Sequence, residues 1–366
     1  MGGRRDRGVC TTPWPLPGAG GAVIDILVIP GDGIGPEVVA AALAVMQATA
    51  APLRFHEAAA GWEAFRRAGD ALPADTLAAA RSASAILFGA VASPSAPVAG
   101  YRSPIVALRQ QLGLGANLRP VRSANADLVV VRENTEGLYA GRERVSDDGA
   151  TAIAERVITR QASAHIAHVA FRLARQRSRP QPRVTIVHKA NILRATCGLF
   201  RQTALQVAAD YPDVRVDELL VDTAALQLVA HPARFDVLVT TNLFGDILSD
   251  VACHHAGGLG MARSANLGAH HALFEPVHGA APDIAGRGRA NPLAAIGCAA
   301  WMLEHLAQQH AAAPALATAA RQIERALAWV RHHGPLTPDL GGTATTGAVT
   351  AAVIAALGTA AQEVAR

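Results

Sequence analysis

The chain has 366 residues, 51% of them hydrophobic, which suffices for a large core and for two domains. Its formal charge of +4 comes from dispersed Lys and Arg with no long basic run, and aromatics are only 4%, so a nucleic-acid platform is poorly supported. No apolar run reaches membrane-spanning length, and four scattered cysteines (Cys10, Cys197, Cys253, Cys298) without a CxxC pair fit a reduced, cytoplasmic protein with no zinc site.

Residues 1–21 are rich in Gly, Pro and Arg and lack the apolar run of a signal peptide, so they read as a disordered extension. Ala22–Pro30 reads as a buried strand. Gly31–Val38 (GDGIGPEV) follows, then an Ala-rich helix to about Thr49. The glycines are spaced GxGxG, not the GxGxxG of a dinucleotide fingerprint. They imply a tight turn and a close backbone approach. Strands at Leu53–Ala59 and Ala85–Gly89 and helices at Gly61–Ala68 and Ala74–Ser82 complete a β/α alternation, which implies a mostly parallel sheet covered by helices. Ala92–Arg102 is loop, Ile105–Leu112 a helix carrying Arg109, and Asn117–Pro120 starts a strand.

Asp127–Glu133 (DLVVVRE) reads as a strand, Gly141–Thr151 as a projecting hairpin, and Thr159–Arg175 as an amphipathic helix. Arg183–His188 is strand, followed by a helix to about Ala209. Val214–Val221 is strand with Asp222 at its end. In Phe235–Asp250 the strand Val237–Val239 leads to Gly245, which reads as a turn, and Asp246–Asp250 as the first turn of a helix. Asp246 and Asp250 share a helix face, and like charges at that spacing repel unless a cation joins them. All-oxygen ligands suit Mg²⁺ or Mn²⁺. The competing reading is two acids favoured by a helix N-terminus. Pro292–Ala307, Ala315–Arg331 and Ala344–Leu357 close the chain as helices. Arg119, Arg132, Tyr139, Lys189, Asp222 and Asp246 all fall at strand ends in this reading, where open α/β sheets bind ligands. The histidine pairs 165/168, 254/255, 270/271 and 332/333 read as surface or core residues.

GDGIGPE (31–37), RENTEGLYAG (132–141), HKANIL (188–193), VDTAALQLV (221–229), FDVLVTTNLFGDILSD (235–250) and FEPVHGAAPDIAGRGRANP (274–292) resemble the β-decarboxylating dehydrogenases. That family holds isocitrate, 3-isopropylmalate, homoisocitrate and tartrate dehydrogenases. The resemblance spans about 22–357 and implies an α/β fold that is not a Rossmann domain. Two domains would surround a mixed, largely parallel sheet. Residues 22–120 and 257–366 would form a large cofactor-binding domain, and 121–256 a small domain with the dimer contacts. The expected assembly is a homodimer, or a tetramer of dimers, with shared active sites.

The resemblance also implies roles. Arg109, Arg119 and Arg132 would clamp the substrate's carboxylates, and Asn191 would touch substrate. Guanidinium forks suit planar carboxylates. Asp246, Asp250 and the partner subunit's Asp222 would bind the metal. Lys189, again from the partner subunit, would be the general base and Tyr139 the acid. The loop His278, Gly279, Ala280, Ala281, Asp283, Ile284, with Glu136 and Asn291, would hold the cofactor. Asp283 would accept hydrogen bonds from a ribose and repel a 2′-phosphate, whereas NADP-using relatives carry Lys and Tyr at 283–284. NAD is therefore expected. The stretch Ser103–Arg109 (SPIVALR), with GWEAF at 61–65, looks most like homoisocitrate dehydrogenases. Val106 would face the C3 substituent, and Ser93 and Ser103 an extra carboxylate. Some homoisocitrate enzymes carry Arg where Val106 stands. The expected activity is oxidative decarboxylation of a 3-substituted malate, homoisocitrate first, with isopropylmalate, isocitrate and tartrate as alternatives. A reading of another class is a non-catalytic subunit of a hetero-oligomeric dehydrogenase, which could keep the fold while losing Tyr, Lys or metal carboxylates.

Overall fold

The computed structural model describes residues 23–96, 98–309 and 314–359. The expected extension over 1–21 lies outside them. The first β/α units are β1 (Ile24–Gly31), α1 (Gly35–Gln47), β2 (Leu53–Glu57), α2 (Trp62–Ala68), α3 (Ala74–Ser82) and β3 (Ala85–Ala90). Then come α4 (Pro104–Gln111), β4 (Ala116–Arg122), β5 (Asp127–Glu133), a hairpin of β6 (Glu143–Val145) and β7 (Ala152–Ala154), and α5 (Arg160–Gln176). They are followed by β8 (Arg183–His188), α6 (Thr196–Ala208), β9 (Arg215–Leu220), α7 (Val221–Ala230), β10 (Val237–Thr240) and α8 (Asn242–Cys253). The chain closes with β11 (Arg263–Leu267), β12 (Ala272–Pro276), α9 (Leu293–Gln309), α10 (Pro314–His333) and α11 (Thr346–Thr359).

One ten-stranded sheet runs in the order β2-β1-β3-β12-β11-β4-β5-β10-β8-β9. Its outer pairs are parallel, and its antiparallel pairs collect in the middle, around β11 and β4. The two halves of the sheet therefore run in opposite directions. Fully buried runs such as β3 (AILFGA) and β10 (VLVT) belong to strands covered on both faces, which is why they lack alternation. On one face α1, α9, α10 and α11 pack over the first half and α5 and α6 over the second, with Trp301 of α9 touching both cores. On the other face the covers are α3 and α4 over the first half and α7 and α8 over the second.

Local signals hold where the chemistry is strong. Thr159 caps α5, its hydroxyl accepting from Ala162 N at 3.1 Å, and Ile166, Ala167, Ala170, Phe171 and Ala174 form the buried stripe. The GxGxG turn does approach other backbone closely. A Cβ at Gly31 would sit 2.0 Å from Ala90 O, and one at Gly33 2.0 Å from Ala280 O, both at positive φ.

One strand is added and two expectations are corrected. β11 (RSANL) is a strand that sequence periodicity does not reveal, because buried Ser264 and Asn266 occupy one of its faces. Gly245 is not a turn but lies inside α8, which starts at Asn242, so Asp246 sits beyond the helix's first turn. Asp222 lies in the first turn of α7 rather than on a strand end.

Candidate active site

The site lies on the face of the sheet between α4 and α8, over its central strands. β4 alternates strictly there. Ala116 and Leu118 enter the core under α5, while Asn117 and Arg119 point the other way, toward α8. Arg119 is thus mid-strand and not at a carboxyl end, because β4 runs on from Ala116 to Arg122.

Arg132, almost fully buried on β5, anchors the cluster. Its Nε and Nη2 both donate to Asn242 Oδ1, at 2.9 and 2.7 Å, and its Nη1 pairs with Asp246 Oδ1. Arg119 Nη2 reaches the same Asp246 oxygen at 3.1 Å, and its Nη1 donates to Ser249 Oγ at 2.7 Å and lies 3.3 Å from Asp250 Oδ1. Tyr139, held beneath the Arg132 guanidinium with 5.1 Å to the ring centroid, donates to Asp246 Oδ2 at 2.6 Å. Arg109 joins from α4, tied to Glu275 by a 2.8 Å bond, and its charge acts on both Asp246 and Arg132.

Electrostatics follow from this crowding. Burial pushes the Asp246 carboxyl up, but Arg132 and Arg119 outweigh it and hold the group below its usual range. Asp250 goes the other way, raised by burial and by the Asp246 charge, with only Arg119 and Arg132 opposing. Burial and the Asp246 carboxylate raise the Tyr139 phenol, which keeps it a proton-bearing donor at neutral pH. Arg132 is lowered to about 10 by burial and remains a cation.

Glycine 245 decides how closely α8 lies on β5. A Cβ there would be 2.6 Å from Arg132 Cβ and 2.7 Å from its Cγ. Asn242 and Asp246, which hold the Arg132 fork, flank this point. Ala in place of Gly favours a helix by about 1 kcal/mol. Overpacking against a buried side chain costs about 1–3 kcal/mol, so the clash wins. Gly245→Ala is expected to lower Tm and to cut kcat/KM at least about tenfold through a displaced Arg132. A variant with unchanged kcat/KM and a higher Tm would show that the contact has slack.

The other expected residues are placed as follows. Lys189 Nζ, just beyond β8, pairs with Asp222 Oδ1 in the first turn of α7 at 2.5 Å, and neither figures among the charges acting on Asp246. Asn191 is exposed nearby. Ser103 precedes α4 with no side-chain bond to the helix backbone, its carbonyl accepting from Ala107 N at 3.0 Å, and Val106 is half-buried on α4, while Ser93 is exposed beside Tyr101. In the loop after β12, Ala280 O accepts from Ile34 N at 2.8 Å, Ala281 has positive φ, Gly279 and Asp283 are exposed and Ile284 is half-buried. His278 Nε2 is buried without a partner. The carboxylate of Glu136 is engaged by Thr159 N at 2.8 Å at the start of α5, and Asn291 bonds Asp339 at 2.9 Å, so both also serve the fold.

Sequence reasoning missed Asn242, Ser249 and Glu275. The first two carry a readable signal: they lie four before and three after Asp246, on its helix face. Glu275 has no local signal, because it meets Arg109 only across the sheet.

Asp246 and Asp250 fit a hard divalent cation as two carboxylates on one helix face. Among the described residues no three such ligands gather within one chain.

The family model for isocitrate/isopropylmalate dehydrogenase matches residues 25–357. An isocitrate/homoisocitrate dehydrogenase of Thermus thermophilus is 50% identical over 339 residues, covering 91% of this chain and 98% of the relative. A 3-isopropylmalate dehydrogenase of Archaeoglobus fulgidus is 47% identical over 325 residues, covering 87% and 94%. The crystal structure of isocitrate dehydrogenase from Methylococcus capsulatus superposes with a TM-score of 0.85 at 43% identity, covering 92% of this chain and 99% of that one. The activity class is accordingly oxidative decarboxylation of a small hydroxy acid by a dehydrogenase. The chain belongs to the isocitrate/isopropylmalate dehydrogenase family.

Proposed function

We propose that the chain oxidises and decarboxylates a 3-substituted malate, homoisocitrate before the others, using NAD and Mg²⁺ or Mn²⁺. The observation that carries this is the convergence of Arg109, Arg119 and Arg132 with Tyr139, Asp246 and Asp250 on one sheet face. Cationic forks against a proton-bearing phenol suit a substrate with several carboxylates and a carbon to be protonated. A bound divalent cation would stabilise the enolate left after carboxylate loss. Arg109, Arg119 and Arg132 orient the substrate, Tyr139 delivers a proton to carbon, and Lys189 takes the hydroxyl proton.

Lys189 and Asp222 come from the second subunit in this reading. Leu226 and Val229 of α7 and Ile247 of α8 are 65%, 54% and 52% exposed in a single chain, and an apolar strip of this size on neighbouring helices suits burial by a second copy. The β6–β7 hairpin points the same way: two three-residue strands with Val145 and Ile153 exposed are marginal alone in water. Separate cores on the two halves of the sheet favour two domains divided near 120/121 and 256/257, although Ala116 and Leu118 of β4 join the core of the second half.

A panel of homoisocitrate, 3-isopropylmalate, isocitrate and tartrate with NAD and Mn²⁺ tests the substrate. The highest kcat/KM is expected with homoisocitrate, and activity on 3-isopropylmalate tenfold higher would overturn it. The same assay on the homo-oligomer alone separates an enzyme from a non-catalytic subunit. Exposed Asp283 and its neighbour Ile284 set the nucleotide choice. Asp283→Lys with Ile284→Tyr is expected to move the NAD/NADP ratio of kcat/KM toward NADP; an unmoved ratio would remove these two residues from cofactor selection.

A further inference from the structure

His165 from one of the histidine pairs set aside on sequence and both members of another, His270 and His271, meet in space. His165 and Arg172 of α5, His270 and His271 of the β11–β12 turn, and His305 and Gln309 of α9 line one cavity of about 340 Å³. Its floor is Ala116 and Leu118 of β4 and Leu267 of β11. These are the alternate neighbours of Asn117, Arg119 and Asn266, so the cavity lies under the active-site strands, on the opposite face. Its walls belong to different halves of the molecule: α5 packs over the half that carries Arg132, and α9 over the half that carries Glu275.

The lining is one-sided in charge. It contains four imidazoles and a guanidinium and no Asp or Glu. Arg172 has no carboxylate partner among the described residues, and His271 Nδ1 is buried with no hydrogen-bond partner. No group of three His, Cys, Asp or Glu among the described residues is arranged to hold a metal, so these imidazoles are not a metal nest. The chemistry that matches several N–H donors and a fork without a counter-charge is a small oxyanion.

We propose that this cavity binds a small dianionic oxyanion through Arg172, His165, His270 and His271, and that the bound anion ties α5 to α9 across the back of the sheet. The proposal concerns the reverse face and is independent of which malate the active site takes.

Protonation accompanies such binding. Partial burial holds His165, His271 and His305 below the usual imidazole range, His305 down to about 4, with Arg172 and His168 adding to it for His165, and His270 and Arg81 for His271. Glu304 of α9 lines the adjoining groove instead, and Asp210 acts on His168. His165, His271 and His305 therefore stay neutral near neutral pH, and a bound dianion favours their charged form. The anion-bound state holds more protons, so affinity rises as pH falls.

Sulfate is the probe, since its charge is constant across the range. Titration calorimetry of the full-length enzyme at pH 8.0 and 6.5, in two buffers of different ionisation enthalpy, is expected to show proton uptake and at least about tenfold tighter binding at pH 6.5. Arg172→Ala with His270→Ala should lose that gain and the proton uptake while keeping kcat/KM and any pH-independent binding at the active-site arginines. Malonate in place of sulfate distinguishes the natural source, tighter binding supporting a carboxylate and weaker binding a phosphate-type anion. Equal pH dependence in wild type and variant, or no proton uptake in wild type, would overturn the proposal.

Discussion

Co-expressed Tyr139→Phe and Lys189→Ala chains are expected to form heterodimers with up to about half the native activity per dimer, although each homodimer is nearly inactive. Loss of a general acid or base costs typically about 10²–10⁴-fold, so the recovery stands far above either background. In the single chain Tyr139 is bound to Asp246 while Lys189 is bound to Asp222. If a working site takes Tyr139 from one subunit and Lys189 from the other, a heterodimer has one site with both lesions and one with neither. If each site took both residues from one chain, every site would carry a lesion and mixing would restore nothing. Differentially tagged heterodimers that prove inactive would therefore refute shared sites.

Removal of divalent cations is expected to abolish turnover, and Asp246→Asn to remove the Tm gain that Mn²⁺ gives the wild-type protein without unfolding it. Asp246 carries the contacts of Arg132, Arg119 and Tyr139. An amide keeps the shape and one acceptor oxygen, so the fold should survive. What disappears is the anionic donor that, with Asp250, would attract a cation. Chelated enzyme turning over at the normal rate would disprove the aspartate site, whereas a Tm gain from Mn²⁺ that persists in Asp246→Asn would exclude only Asp246 as its ligand.

Much of this molecule is legible in one dimension. Buried apolar runs and amphipathic spacing mark most strands and helices, because burial on one or both faces writes a local period into the chain. Asp246 and Asp250 announce a shared face by their spacing, and Asn242 and Ser249 could have been added by the same rule. The long motifs carried family membership, and with it the expectation that three arginines converge.

The tertiary structure decided what has no local period. β11 escapes detection because Ser264 and Asn266 face a buried polar network, where hydrogen bonds to Asn117 replace hydrophobicity as the reason for burial. Gly245 looks like a turn until Arg132 is seen against its Cα, and only the packing of α8 on β5 explains a glycine inside a helix. The span of β4 past Arg119 and its alternation across the sheet put Arg119 on the sheet's face rather than at a strand end. His165, His271 and His305 gain a common cavity only because β4 and β11 bring α5 beside α9. Each of these depends on contacts between distant segments. A sequence records what a residue is and how its near neighbours repeat, while the folded sheet sets which distant residue faces it.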